Sequence, residues 1–251
     1  MDVRDCAQDA DITAEHLLRL EAGTEAPDRS VLLRLADVFG LSLRLRNELL
    51  TRAGFEAPHP ETPLGRPGMD AVRAMLDHIL RSHGDCPAMA VDRMWNLVSA
   101  NEAADLITDS VPPALRVPHI NMLRTSVHPD CLARWMVNSA EWTGHLLGRF
   151  QQKMLASQDA DLVALYEELR GYLPGAAGSD DDPRRFSLLR IIREGEHLAL
   201  LNVETAFALP VDVTVDEITV QAFFPADRQT AEVLRRRAHT RADTRARRTA
   251  G

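Results

Sequence analysis

Glu141 and His145 stand four residues apart, a spacing that sets a carboxylate and an imidazole on one helix face, where they could do acid–base work. The same spacing serves a structural hydrogen bond equally well. The sequence carries no GxSxG elbow, no HExxH helix, no phosphate loop and no GxGxxG after a strand. His78 and His83 do not share a helix face cleanly, and Cys6, Cys86 and Cys131 form no CxxC pair. The pattern therefore predicts neither enzyme, metal site nor cofactor, and no disulfide framework.

A second set of side chains suits binding better than catalysis. Trp95, Trp142, Phe207, Phe223 and Phe224 offer broad apolar area, whereas Asn121, Arg124, His128, Asn138 and His145 offer a few oriented polar contacts. That mixture is what a small-molecule pocket needs. Aromatics spaced along strands also build ordinary cores, so each has that second reading. Arg124, between Leu123 and the strand-like TSVHP, would grip a carboxylate through two parallel hydrogen bonds. A surface ion pair would use it equally well.

These residues need elements to hold them. Val3–Ala10, a turn at Asp11 and Ile12, and a helix Thr13–Ala22 capped by Thr13 have the spacing of a helix-turn-helix. Thr13, Ala14, Glu15, His16 and Arg19 would then face DNA; a plain helical bundle has the same caps and leucines. Asp28 and Ser42 cap two further helices, which run to Gly40 and Gly54. FEAPHPETPLGRPG is dense in proline and glycine and reads as a linker. The expected division is a helical module at 1–56, a linker at 57–68, a second domain at 69–234 and a basic disordered tail at 235–251.

In the second domain the periodicity predicts helices over Met69–Arg81, Glu102–Ile107, Arg134–Leu155 and Ala160–Tyr172. PAMAVDRMWNLVSAN reads as two strands about a tight turn at Asp92 and Arg93, and GYLPGAAGSDDDP as a loop. Three late strands are expected near Phe186–Arg193, His197–Leu209 and Glu217–Phe224, followed by a closing helix in PADRQTAEVLRRRA. Helices first, then strands mixed with helices, predict an α+β protein.

Charge bears on partners. Residues 1–56 carry seven Arg against eleven acids, and residues 228–251 carry eight against two, within a net charge of −8. An acidic module binds phosphates poorly unless its arginines cluster. No apolar run approaches the ~18 residues of a membrane span, and MDVRDCAQDAD has no apolar signal core. A cytoplasmic protein with no membrane partner is the expectation.

ITAEHLLRLEAGTEAPDRSVLLRLADVFGLSLRLRNELLTRAGF resembles the Cro/repressor-type helix-turn-helix module of the XRE family. CPAMAVDRMWNLVSANEAADLI, NMLRTSVHPDCLARWMVNSAEWTGHLLGRF and PVDVTVDEITVQAFFPADRQTAEVL resemble the ligand-binding domain of MmyB-like regulators. The resemblance implies a small helical module followed by a PAS-like domain able to hold an apolar molecule such as a fatty acid. It also implies a homodimer acting on DNA. Departures from the family lower the expected DNA affinity: one helix fewer ahead of the motif, Glu15 where a basic or polar residue is usual, Leu18 where a small hydroxyl residue is common, and Thr24 where a basic residue follows the glycine. The alternative expectation is a ligand-binding or dimerisation protein that no longer binds DNA.

Overall fold

A computed structural model of the chain describes residues 2–157, 159–173 and 188–249. The backbone gathers into two units, Met1–Met69 with Phe207–Glu217, and Asp70–Ala206 with Ile218–Gly251.

The first unit opens with α1 (Val3–Asp9), α2 (Ala14–Glu21), α3 (Arg29–Val38) and α4 (Leu43–Arg52). All four begin where a side-chain oxygen accepts an N–H that the helix leaves without a partner, Asp2 accepting from Asp5 N at 3.2 Å ahead of α1. Thr13 accepts from His16 N at 3.1 Å, Asp28 from Val31 N at 2.8 Å and Ser42 from Leu45 N at 3.4 Å. Asp11, at φ 52°, adopts the left-handed conformation that Asp tolerates and so turns the chain from α1 into α2. Cys6, Ala7, Ala10, Leu17, Val31 and Leu35 form the core between these helices. Arg34 Nε donates to the Ala10 carbonyl at 2.7 Å and satisfies the end of α1.

The second unit begins with α5 (Asp70–Ser82), then β1 (Ala88–Val91), β2 (Leu97–Ala100), a 3-10 turn at Glu102–Ala104 and α6 (Asp105–Thr108). There follow α7 (Met122–Val127), α8 (Ser139–Ser157), α9 (Ala160–Gly171), β3 (Leu188–Arg193) and β4 (Glu196–Ala206). The chain then passes through α10 (Val213–Asp216), part of the first unit, and returns as β5 (Thr219–Pro225) and α11 (Arg228–Thr249). The five strands form one antiparallel sheet in the order β2-β1-β5-β4-β3.

Strand alternation gives this sheet two faces. Met89, Val91, Leu189, Ile191, Leu198, Leu200 and Phe223 share one core with residues of α6, α7 and α8. α5 packs on β1 and β2 and buries Leu76 and Leu80. A second core under α7, α8 and α9 holds Leu123, Leu147, Phe150, Leu165 and Leu169. A helical first unit and an α+β second unit agree with the expected fold class and with a PAS-like domain.

Some boundaries differ from the sequence reading. TSVHP, read as strand-like from its β-branched Thr125 and Val127, is the end of α7 and its cap, because Asn121 and the packing of Leu123 and Val127 override local propensity. Residues Leu132–Trp135 form a 3-10 turn, and α8 starts only at Ser139. The basic segment beyond residue 235 continues α11 to Thr249. Phe186 and most of GYLPGAAGSDDDP lie outside the described residues.

The Pro-rich segment has no regular structure but is tied down within the first unit. Asn47 exchanges two hydrogen bonds with the backbone of His59, at 2.7 and 3.1 Å. Val213 N donates to the Pro60 carbonyl at 2.8 Å, and Thr62 N donates to Asp212 at 3.2 Å. Asp216 accepts from Leu43 N at 2.8 Å at the start of α4, and Arg44 pairs with Glu61 and Glu217.

Candidate functional site

Pairing of β1 with β5 sets Met89 against Gln221, and pairing of β4 with β5 sets Asn202 against Phe223. Cross-strand partners share a face, so all four side chains point to the helices. Ile107 from α6, Met122 and Ser126 from α7, Leu132, and Trp142 and Leu146 from α8 complete a cavity of about 20 Å³ with Trp95. That volume admits roughly one water. A larger occupant must displace side chains, and the unbranched Met89 and Met122 are suited to yielding. A wider recess of about 280 Å³ on the first unit is lined by Arg44, Asn47, Glu48, Thr51, Arg52, Glu61 and Val213. Its charges already pair, Arg44 with Glu61 and Arg52 with Glu48, so it does not suit an apolar molecule.

The turn between β1 and β2 aims Trp95. Asp92 Oδ1 accepts from Met94 N at 2.9 Å and Asn96 N at 2.8 Å, and its Oδ2 accepts from Asn96 Nδ2 at 3.1 Å. So fastened, the turn holds Trp95 at φ 62°, a left-handed conformation that a bulky residue adopts only under constraint.

The polar side of the cavity has a fixed orientation. Glu204 accepts from Gln221 Nε2 at 3.0 Å, which turns Gln221 Oε1 toward Asn202 Nδ2 at 3.1 Å. Burial pushes the Glu204 carboxyl up, but the hydrogen bond from Gln221 and the charges of Lys153 and Arg149 outweigh it and hold the group below its usual range. Arg149 and Lys153 lie 3.2 and 3.5 Å from Glu204. The indole Nε1 of Trp142 is buried and meets no acceptor among the described residues.

Residues 72–236 match the family described as the MmyB-like transcription regulator ligand binding domain. The chain belongs to that family. No curated protein matches the sequence. A solved structure described as an RNA-binding Light-Oxygen-Voltage receptor is 13% identical, with a TM-score of 0.31, covering 96% of this chain and 57% of its own. The chain thus spans little over half the length of that receptor, and the likeness is too distant to bear on fold or ligand. The family match makes residues 72–236 a ligand-binding domain of the MmyB-like transcription regulator type.

Within the MmyB-like domain, Trp95, Trp142 and Phe223 line the cavity, and the other sequence candidates have different surroundings. Asn121 caps α7 by accepting from Arg124 N at 3.0 Å and donates to the Met94 carbonyl at 2.7 Å. Asn138 bridges the start of α8 to β3, donating to the Leu188 carbonyl at 2.7 Å and accepting from Arg190 N at 3.0 Å. The ring of His128 lies 4.8 Å from that of Tyr172, tilted against it at 60°. Half-buried His145 does not line the cavity, and Glu141 accepts from Asn138 at 3.2 Å. Phe224 lies on the opposite sheet face from Phe223, with its ring 5.8 Å from His83, and Phe207 belongs to the first unit. Sequence reading passed over Met89, Ile107, Met122, Ser126, Leu132, Leu146, Asn202 and Gln221. Asn202 and Gln221 carried a usable signal, each being an amide with apolar neighbours on both sides, Leu201 and Val203 in one strand and Val220 and Ala222 in the other.

Arg124 does grip a carboxylate with two hydrogen bonds, but the carboxylate is Glu168, at 2.6 and 2.8 Å. Tyr172 adds a third bond at 3.0 Å. The Arg124 guanidinium holds the Glu168 carboxyl below the ordinary glutamate range. Its contribution to stability is therefore complete above about pH 4.3 and lost as pH falls through the depressed folded value. Glu168→Gln should cost about 1 kcal/mol at neutral pH, the partial exposure of the pair keeping the figure small. The gap to the unmodified protein should close in acid. Urea melts across pH check this, and a gap that widens on acidification contradicts it.

In the helical unit, Thr13 serves as the α2 cap, Ala14 is half-buried, and Glu15 and Arg19 are exposed. Arg19 is held by Glu15 and Glu25, each at 2.7 Å, and Glu25 also meets His16 at 3.5 Å. The hydrogen bond from Arg19 lowers the Glu25 carboxyl below its ordinary value. Leu18 stands 52% exposed on the same helix. Among the described residues no helix is long and apolar enough to cross a membrane, and no group of three His, Cys, Asp or Glu could hold a metal.

Proposed function

We propose that the chain is a ligand-responsive regulator whose second unit senses a small apolar molecule of the fatty-acyl class and whose first unit derives from an XRE-type helix-turn-helix. The observation that carries the ligand reading is the match to a ligand-binding domain family, supported by a cavity with eight apolar and three polar residues in its lining that widens by side-chain movement to admit more than a water. The ligand acts by favouring one of two arrangements of a homodimer, and it shifts their balance only by its difference in affinity for the two. Paired motifs suit paired half-sites, which is why the dimer belongs to this reading. No catalytic role is assigned. The protein is read as cytoplasmic.

A second reading, a ligand-binding protein that has given up DNA, is favoured by the charges on α2. Arg19, the strongest phosphate ligand on that helix, is enclosed by two carboxylates. A phosphate must compete with both. DNA binding is therefore expected to be weak and indifferent to sequence in gel shifts at low salt, with a Kd no tighter than about 1 μM at physiological salt. A joint Glu15→Gln and Glu25→Gln replacement should free Arg19 and tighten binding several-fold at low salt. A nanomolar, sequence-specific complex of the unmodified protein at physiological salt contradicts weak binding and leaves the regulator reading in its strongest form.

A further inference from the structure

The cavity's polar groups bear on the head of the ligand, an inference that rests on the apolar-ligand reading above. Trp142 is 5% exposed, and its buried N–H meets no acceptor among the described residues. A buried donor without a partner is costly, so an occupant that offers an acceptor gains more here than it would from apolar contact alone. The remaining polar lining is neutral. Ser126 Oγ spends its proton on the Met122 carbonyl at 2.9 Å, and Asn202 donates toward Gln221. Among the described residues, no Arg, Lys or His lines the cavity. Arg124 is engaged with Glu168, and the nearby Arg149 and Lys153 are drawn to Glu204, the cross-strand neighbour of Gln221.

A carboxylate entering this cavity would lose its hydration and find no cation on the wall, the nearby Arg149 and Lys153 being already paired with Glu204. An ester, amide, ketone or alcohol oxygen would lose far less and would accept from the indole. We infer that the cavity takes an uncharged acyl compound, with its carbonyl or hydroxyl oxygen on Trp142 Nε1, in preference to a free fatty acid. Trp142 is then the specificity-determining residue for the ligand head. Met89, Met122, Leu132 and Phe223 receive the chain.

The test titrates the full chain with methyl decanoate, sodium decanoate and decane at about pH 8, where the acid is fully ionised. Methyl decanoate should bind about tenfold or more tightly than decanoate, by equilibrium dialysis and by the rise in melting temperature. Trp142→Phe, which keeps a ring but removes the N–H, should weaken methyl decanoate about tenfold and change decane little. Should that variant fold poorly, the unmodified protein answers in another way. With only three tryptophans, its indole N–H resonances are readily assigned. That of Trp142 should move downfield with methyl decanoate and not with decane. Equal or tighter binding of decanoate overturns the inference, as does an indole resonance that ignores the ester. If none of the three binds, the apolar-ligand reading itself falls and takes the head assignment with it.

Discussion

Trp142→Ala should destabilise the second unit by about 3–5 kcal/mol, the range for removing a large aromatic from a packed core. The side chain stands between α8 and the sheet, its ring 6.2 Å from that of Phe223, and it belongs to the core that includes Met89, Leu198 and Leu200. The paired backbone of the sheet cannot close in, and the flexible side chains of Met89 and Met122 fill only part of the space an indole leaves. The variant should also lose its response to ligand. The unmodified protein should gain about 2.7 kcal/mol from methyl decanoate at a hundredfold excess over Kd, and the variant almost none. Melting with and without the ester measures both quantities. A loss under about 1 kcal/mol with the response intact would mean that Trp142 neither holds this core together nor meets the ligand.

Asn121→Ala should cost about 2–4 kcal/mol, although the residue does not line the cavity. Its amide spans two elements, capping α7 and holding the Met94 carbonyl, with a further bond to Asn96 at 3.2 Å. Truncation leaves Arg124 N and the Met94 carbonyl without this partner in a site where Asn121 itself is 4% exposed. Asn121→Asp should recover the cap but not the bond to Met94, giving an intermediate loss. Urea unfolding of the three proteins orders them. An alanine variant as stable as the parent would mean that water replaces the side chain fully.

Local chemistry explains what could be read from the sequence. Thr13, Asp28 and Ser42 announce their helices because a cap acts within one turn, and Asp92 announces the β1–β2 turn for the same reason. The strand alternation around Gln221 and Phe223 was likewise visible. Which face would be enclosed was not, since that depends on partners such as Asn202, 19 residues distant from Gln221. Arg124 illustrates the limit best. Its preference for a paired carboxylate followed from its chemistry, but the identity of that carboxylate, 44 residues away on α9, was decided by how α7 and α9 pack. α7 was hidden because Thr125 and Val127 favour strands locally, and only long-range burial reverses them.

The segment Phe207–Glu217, which leaves the sheet after β4 and returns at β5, has a consequence for synthesis. Residues up to Met69 leave the ribosome early, yet Asp212, Val213, Asp216 and Glu217, which tie down Thr62, Pro60, Leu43 and Arg44, follow about 150 residues later. At roughly 5–20 residues per second this is a wait of about 7–30 s. During that interval the start of α4 and the Pro-rich segment lack their partners, and nascent chains halted before residue 207 should be cut there by protease, whereas released full-length chains resist. The first module to be made is therefore among the last to be completed, and its maturation reports that the sensor strands on either side of the segment have been translated.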